Sequence, residues 1–347
     1  MSTLTIALAS LGGVVLAGVV AHGAWTARKA GPKRAVPLAE RTEPREPVMD
    51  LPDEATLAQD VAAGVPERRA NNRIVNRLDA LIDAIAPLRI EVPVSGSMVL
   101  AHLPTTRRAG GKPFLIEGLN SETGEWETPV AGPRYSEFQA GVQLANRTGA
   151  LNEIEFSEFV QKVQAFADGI GAMADFPDML EAVASARELD AFASQHDAQL
   201  AVHLQARSAA WSVGYIQQHA GRHGFVPGVV PGRLVMPAAE EGAPPVLTLT
   251  FDSQAALADD PNLAALRDVT LSFDVPQTDA ALGPFVAWRA SAQALSLGMD
   301  ASIVDDNGRA LTPEGFTAIG NELGQLYATL QERDLAAGSP AARRLFS

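Results

Sequence analysis

Residues 269–275, VTLSFDV, decide the fold. Side chains alternate along a strand, so Leu271, Phe273 and Val275 share one face and Thr270, Ser272 and Asp274 the other. A strand that is apolar on one side and polar on the other belongs to an antiparallel sheet packed on one face. Residues 246–252, VLTLTFD, repeat the pattern: Leu247, Leu249 and Phe251 form the apolar set, with Thr248 and Thr250 outside. The expected fold class is therefore α+β, an antiparallel sheet covered by helices on one face.

Working outward, residues 281–297 read as a helix, 300–305 as a short strand, Asn307-Gly308 as a tight turn and 312–333 as a last helix. Thr312-Pro313-Glu314 opens that helix with an N-cap threonine, an early proline and an early acid. Upstream, residues 199–206 (QLAVHLQA) alternate as a strand. Residues 211–223 are a helix closed by Gly224, and 233–236 are a short strand after a glycine-rich turn. Residues 73–197 read similarly. Ile74, Leu78, Leu81, Ile82 and Ile85 follow helical spacing until Pro87. Strands are expected over 88–94, 112–119 and 135–145, a short helix through Met98–Leu103, and helices over 153–170 and 180–192. The halves share an order of elements, which predicts two related antiparallel-sheet/helix units, 73–197 and 198–335, followed by a tail over 336–347 that frays from Gly338.

The N-terminus has a different character. No charged side chain interrupts residues 3–21, and Trp25 is followed by Arg28, Lys29, Lys33 and Arg34. About 20 apolar residues span a bilayer core, indole rings favour the interface, and cations stay cytoplasmic. Residues 1–27 thus predict an N-terminal transmembrane helix with Met1 outside and the body in the cytosol. A cleaved signal peptide carries its cations before the apolar run, and Met1–Thr5 have none. Ala9, Gly13 and Ala17 have small-xxx-small spacing suited to helix pairing. Residues 28–72 form a basic collar and an acidic linker with Pro37, Pro44, Pro47, Pro52 and Pro66. The absence of cysteine fits a reducing compartment. The net charge of −14 lies in the body beneath the collar, which disfavours nucleic acid and favours a cationic or amphipathic protein partner.

Catalytic patterns are scarce. The sequence has no cysteine nucleophile, no glycine-rich phosphate loop opening a helix and no nucleophile elbow. His219 and His223 have chelating spacing but no third ligand, so no metal is expected. Asp305-Asp306-Asn307-Gly308 reads as hairpin chemistry rather than a calcium loop. Trp126 and Trp211 read as core or rim residues. No cofactor is expected, and the chain reads as a non-enzyme.

Three stretches resemble the ZipA family of membrane-anchored bacterial cell-division adaptors, which bind the tubulin-like GTPase FtsZ. They are residues 20–29 (VAHGAWTARK), 215–225 (YIQQHAGRHGF), and 269–276 (VTLSFDVP) with 303–313 (IVDDNGRALTP). The resemblance implies an inner-membrane anchor and a ZipA-like FtsZ-binding domain over 198–335. It further implies an open sheet face on which the FtsZ C-terminal tail lays apolar side chains, with no cofactor. Carried onto this chain by strand parity, the partner-binding residues are Val229, Val230, Thr248, Thr250, Thr270 and Ser272. Ser272 is a hydroxyl where the family has a large apolar residue, the tether is shorter than the family's, and residues 73–197 match no part of it. The alternative from another class is a membrane-anchored enzyme or ligand-sensing module using residues 73–197.

Overall fold

The computed structural model describes residues 77–347 apart from 241, 259, 261 and 262. The expected anchor over 1–27, the collar and linker over 28–72, and the start of the helix expected from Ile74 lie outside the described residues. Among the described residues, no helix is long and apolar enough to cross a membrane.

Where helical spacing runs through Ile82 and Ile85, the chain is extended from Asp83 as β1 (Asp83–Ser95). Ala84, Ala86 and Leu88 are buried at period two, and Asp83–Arg89 pair with a neighbouring strand. That ladder satisfies the backbone and overrides the local period. The first lobe continues with α1 (Gly96–His102), β2 (Arg108–Ala109), β3 (Lys112–Asn120), β4 (Trp126–Glu127) and β5 (Arg134–Gln143). A small hairpin of β6 (Ala145–Asn146) and β7 (Gly149–Ala150) leads to α2 (Glu153–Ile170), β8 (Met173–Ala174) and α3 (Met179–His196). Its antiparallel sheet has the order β2-β3-β5-β1-β8, with β4 paired to β3.

The second lobe comprises β9 (Gln199–Ala206), α4 (Val213–Gly221), β10 (Val226–Pro227), β11 (Arg233–Met236), β12 (Leu247–Thr250), α5 (Ser253–Ala256) and β13 (Asp268–Asp274). It is completed by α6 (Pro284–Met299), β14 (Ala301–Val304) and α7 (Pro313–Glu332). Its antiparallel sheet has the order β10-β11-β12-β13-β9-β14. Matching β1 to β9, β2 to β11, β3 to β12, β5 to β13 and β8 to β14 gives five strands in the same order, with β4 and β10 unmatched. The helices α1, α2 and α3 then fall at the same points in the chain as α4, α6 and α7. The two lobes share one topology, an α+β arrangement of antiparallel sheets and helices.

Each lobe has its own core. In the first, α2 starts in a capping box of Asn152 and Glu155 and presents Phe156, Phe159, Val163 and Phe166 to Phe114 and Phe138. Phe138 and Phe166 meet edge to face at 5.7–5.8 Å between centroids, as do Phe114 and Phe159. In the second, Leu271, Phe273 and Val275 are buried against Trp288 of α6 and Phe316 of α7. The Trp288 indole N–H donates to the Leu271 carbonyl at 3.0 Å. The strand parity read from VTLSFDV holds.

The expected frayed tail is instead α8 (Pro340–Leu345), capped by Ser339. Ala341, Ala342, Leu345 and Phe346 are buried with Ile82 and Ala145 of the first lobe and with Leu330 and Leu335. Burial of this short apolar set against both lobes supplies the order that its glycine- and proline-flanked sequence lacks locally. Arg344 donates to Asp83 through both Nη atoms and to the Arg77 carbonyl, while the Gln143 side chain donates to the Arg344 carbonyl. On the other side, Gln277 donates to the Phe346 carbonyl and Arg343 to the Gln277 carbonyl. Arg147 adds a direct bridge between lobes, meeting Asp197 at 2.6 Å and Asp274 at 2.7 Å.

Candidate protein-binding face

The face of the second sheet opposite α6 carries every strand residue predicted to contact a partner. Register places Thr248, Ser272 and Ala201 side by side in one row, and Thr250, Thr270 and His203 in the next. Val235 extends the first row, and Val226 beyond it; Arg233 extends the second. Ser272 and Thr248 are only 5% and 8% exposed, whereas Thr250 and Thr270 are half-buried. They form the floor of the face because short side chains in mid-sheet are shadowed by longer neighbours. Gln199 reaches the Ser272 hydroxyl at 3.4 Å, and Arg233 donates to the Thr248 hydroxyl at 3.4 Å.

Val229 and Val230 lie at the edge of this face, in the loop joining β10 to β11. They are 102% and 54% exposed. Gly232 closes the loop at φ +77°, and an added Cβ there would lie 2.6 Å from the Phe251 carbonyl oxygen, so only glycine fits. The loop and residues 237–240 and 242–245 enclose an open cleft of about 510 Å³, lined by Pro227, Val229, Val230, Val235, Pro237 and Pro245 among others. Pro227 removes a donor from β10, the edge strand, which makes that edge a poor template for an added strand. Glu240 stands on its rim and meets Arg343 of α8 at 3.5 Å.

The opposite side of the face is polar. His203 lies between two carboxylates, with Nδ1 at 3.2 Å from Asp268 and Nε2 at 3.1 Å from Asp306; Nδ1 is also 3.1 Å from the Thr270 hydroxyl. The two carboxylates face opposite ring nitrogens, so these three side chains do not converge on one point as metal ligands would. Asp305 accepts from the Asn307 and Arg309 amides, which holds its carboxyl below the usual range and makes it a turn residue. Asp274, at the near end of the face, is held above the usual carboxylate range by burial, which Arg147 only partly offsets.

The other residues singled out by sequence lie elsewhere. Trp211 is buried with its indole N–H on the Met299 carbonyl, and Trp126 is half-buried in β4. His219 packs at a tilt against Tyr215, with ring centroids 4.3 Å apart, and burial together with Arg222 lowers its pKa. Sequence reading missed His203, Gln199, Val235 and Arg233; the parity of residues 199–206 sets His203 on the face opposite buried Val202 and Leu204, and the register puts it beside Thr270. It also missed Lys112, 1% exposed, whose ammonium is caged by the Asn146 side chain, the Thr148 hydroxyl and the Gly149 carbonyl. No protein-family model matches the chain, and no curated protein matches it.

Proposed function

We propose that this protein is a membrane-anchored adaptor that holds FtsZ filaments at the bacterial inner membrane during division. In this reading, residues 1–27 are the anchor, the linker is a short tether, and the second lobe takes the FtsZ C-terminal tail on its outer sheet face. The observation that carries the reading is the apolar hairpin edge: Val226, Val229 and Val230 stand exposed beside a proline-lined cleft that runs onto a shallow sheet floor. Apolar side chains held in the open by prolines and a turn glycine are preorganised for a partner. The ZipA-like stretches and the apolar N-terminus then supply the partner and the membrane. The work is mechanical. A filament presents many tails to many anchored domains, so modest individual affinities multiply into firm attachment.

The test is co-sedimentation of purified FtsZ with vesicles carrying the full chain. FtsZ should pellet with these vesicles, and FtsZ lacking its C-terminal tail should stay in solution. Equal recovery of both forms, or of neither, contradicts the proposal.

A further inference from the structure

The shared topology places the two outer faces in correspondence, and the first is already occupied. At matching ends of the two sheets, Asp83 pairs with Gln143 and Gln199 with Asp274. Counting from those pairs, Gly141 of β5 corresponds to Ser272 of β13. Its row neighbours Leu115 and Ile85 correspond to Thr248 and Ala201, and Glu117 corresponds to Thr250. Core positions agree under the same match, with Ala140 on Leu271 and Ile116 on Leu249, all buried.

Over Gly141 lies Leu78, from the chain's own entry into the first lobe. A Cβ built on Gly141 would come within 2.4 Å of Leu78 Cδ2, so the leucine fills the space a side chain there would take. The Leu78 amide donates to Glu117 at 3.0 Å, and the Asp79 amide donates to Asp83 at 2.9 Å. One aliphatic side chain thus sits on the central strand, with two consecutive amides held by acceptors on the strands to either side. The second lobe has the same three positions: Ser272 for the floor, the Thr250 hydroxyl for the first amide and the Gln199 side-chain carbonyl for the second. In place of a leucine, the Gln199 side-chain amide reaches the Ser272 hydroxyl there at 3.4 Å.

Resting on the reading of this face as the partner-binding surface, we infer that it seats a leucine or isoleucine of an incoming segment over Ser272, in the way that the first lobe seats Leu78 over Gly141. The two amides that follow go to Thr250 and Gln199, and the apolar residues beyond reach the Val229–Val230 cleft. The first lobe is a self-filled copy of the site. Its own chain closes it, whereas in the second lobe an incoming leucine would take the place of the Gln199 amide over Ser272.

The experiment uses the full chain and two labelled peptides, the host's FtsZ tail and residues 73–82 of this chain, read by fluorescence anisotropy. Ser272→Leu fills the seat and should weaken both peptides about 10- to 100-fold, the range for excluding one buried aliphatic side chain. Ser272→Gly, copying Gly141, should tighten them. Thr250→Val keeps the size and removes one acceptor, for a loss of about 2- to 10-fold. Circular dichroism checks that each variant is folded, and Thr250→Val carries the test should Ser272→Leu fail to fold. Tail binding indifferent to these changes overturns the inference and leaves the adaptor role standing. Binding of residues 73–82 alone, lost in Ser272→Leu or in Thr250→Val, supports the seat and overturns the choice of partner. If neither peptide binds, both fail.

Discussion

Adjacent side chains on one strand divide between the core and the candidate binding face. Phe273 and Ser272 are neighbours in sequence, yet Phe273 packs edge to face on Trp288 while Ser272 floors the opposite surface. Phe273→Ala should cost about 3–5 kcal/mol through the cavity it leaves, measured by denaturant unfolding. Val229→Asp, at a fully exposed position, should leave the unfolding midpoint unchanged. A second residue-scale case is Arg344. Asp83 is 3% exposed, and burial holds its carboxyl above the usual range, with Arg344 offsetting part of that rise. Arg344→Ala strands that carboxylate and should destabilise by about 3–5 kcal/mol, whereas a surface arginine would cost almost nothing. Chemical unfolding decides between them. The parity of VTLSFDV made Phe273 legible from sequence. Arg344 was illegible, because its partner lies 261 positions away and nothing local announces an ion pair between β1 and α8.

At the scale of elements, strands and helices with strong periodicity were readable and short or two-sided ones were not. Residues 153–170 were predicted as a helix with the observed bounds, since Asn152, the apolar stripe and Gly171 mark start, face and stop together. Residues 74–85 misled because Ile82 and Ile85 fit a helix while Ile82, Ala84 and Ala86 fit a strand. Only the ladder with β5 settles such a choice. The tail failed for a related reason: its order comes from burial between lobes. The β2–β3 hairpin shows how elements are fastened. Its Gly110 and Gly111 amides donate to Glu158 and Glu155 of α2 at 2.8 and 2.7 Å. Lys162 and the Gly110 amide hold Glu158 below the usual glutamate range. A carboxyl depressed on folding stabilises above its unfolded value, and that contribution is lost as pH falls through its folded value. Glu158→Gln should therefore lower stability at pH 7, and that loss should shrink as pH falls through the carboxyl's folded value. Thermal melts over a descending pH series test this, and a loss that stays constant with pH would contradict it.

For the whole molecule, charge and duplication matter most. The chain carries −14, and the outer face of the second lobe bears Asp268, Asp306 and Glu240 against Arg233. A tail with basic as well as apolar groups should associate more slowly as salt rises, while its dissociation rate changes little. Stopped-flow association at low and high salt reads this directly, and an on-rate indifferent to ionic strength contradicts it. The shared topology of the lobes was visible in the sequence only as a matching order of elements. The correspondence of Gly141 with Ser272 needed the registers, because the residues filling equivalent positions have diverged in type. The candidate face was legible in its strand positions and its edge valines. Its walls came from His203, Gln199 and Arg233, polar side chains whose roles depend on partners across strands.

The central claim is that the second lobe's outer face binds the FtsZ tail through its edge cleft and sheet floor. The most direct measurement is the affinity of the full chain for a labelled tail peptide, compared with a Val229→Asp, Val230→Asp double variant of unchanged thermal stability. The account predicts saturable binding by the parent chain and a loss of at least about tenfold in the variant, because two carboxylates would stand in the apolar cleft. No saturable binding by the parent chain, or equal affinity in the two proteins, would contradict it.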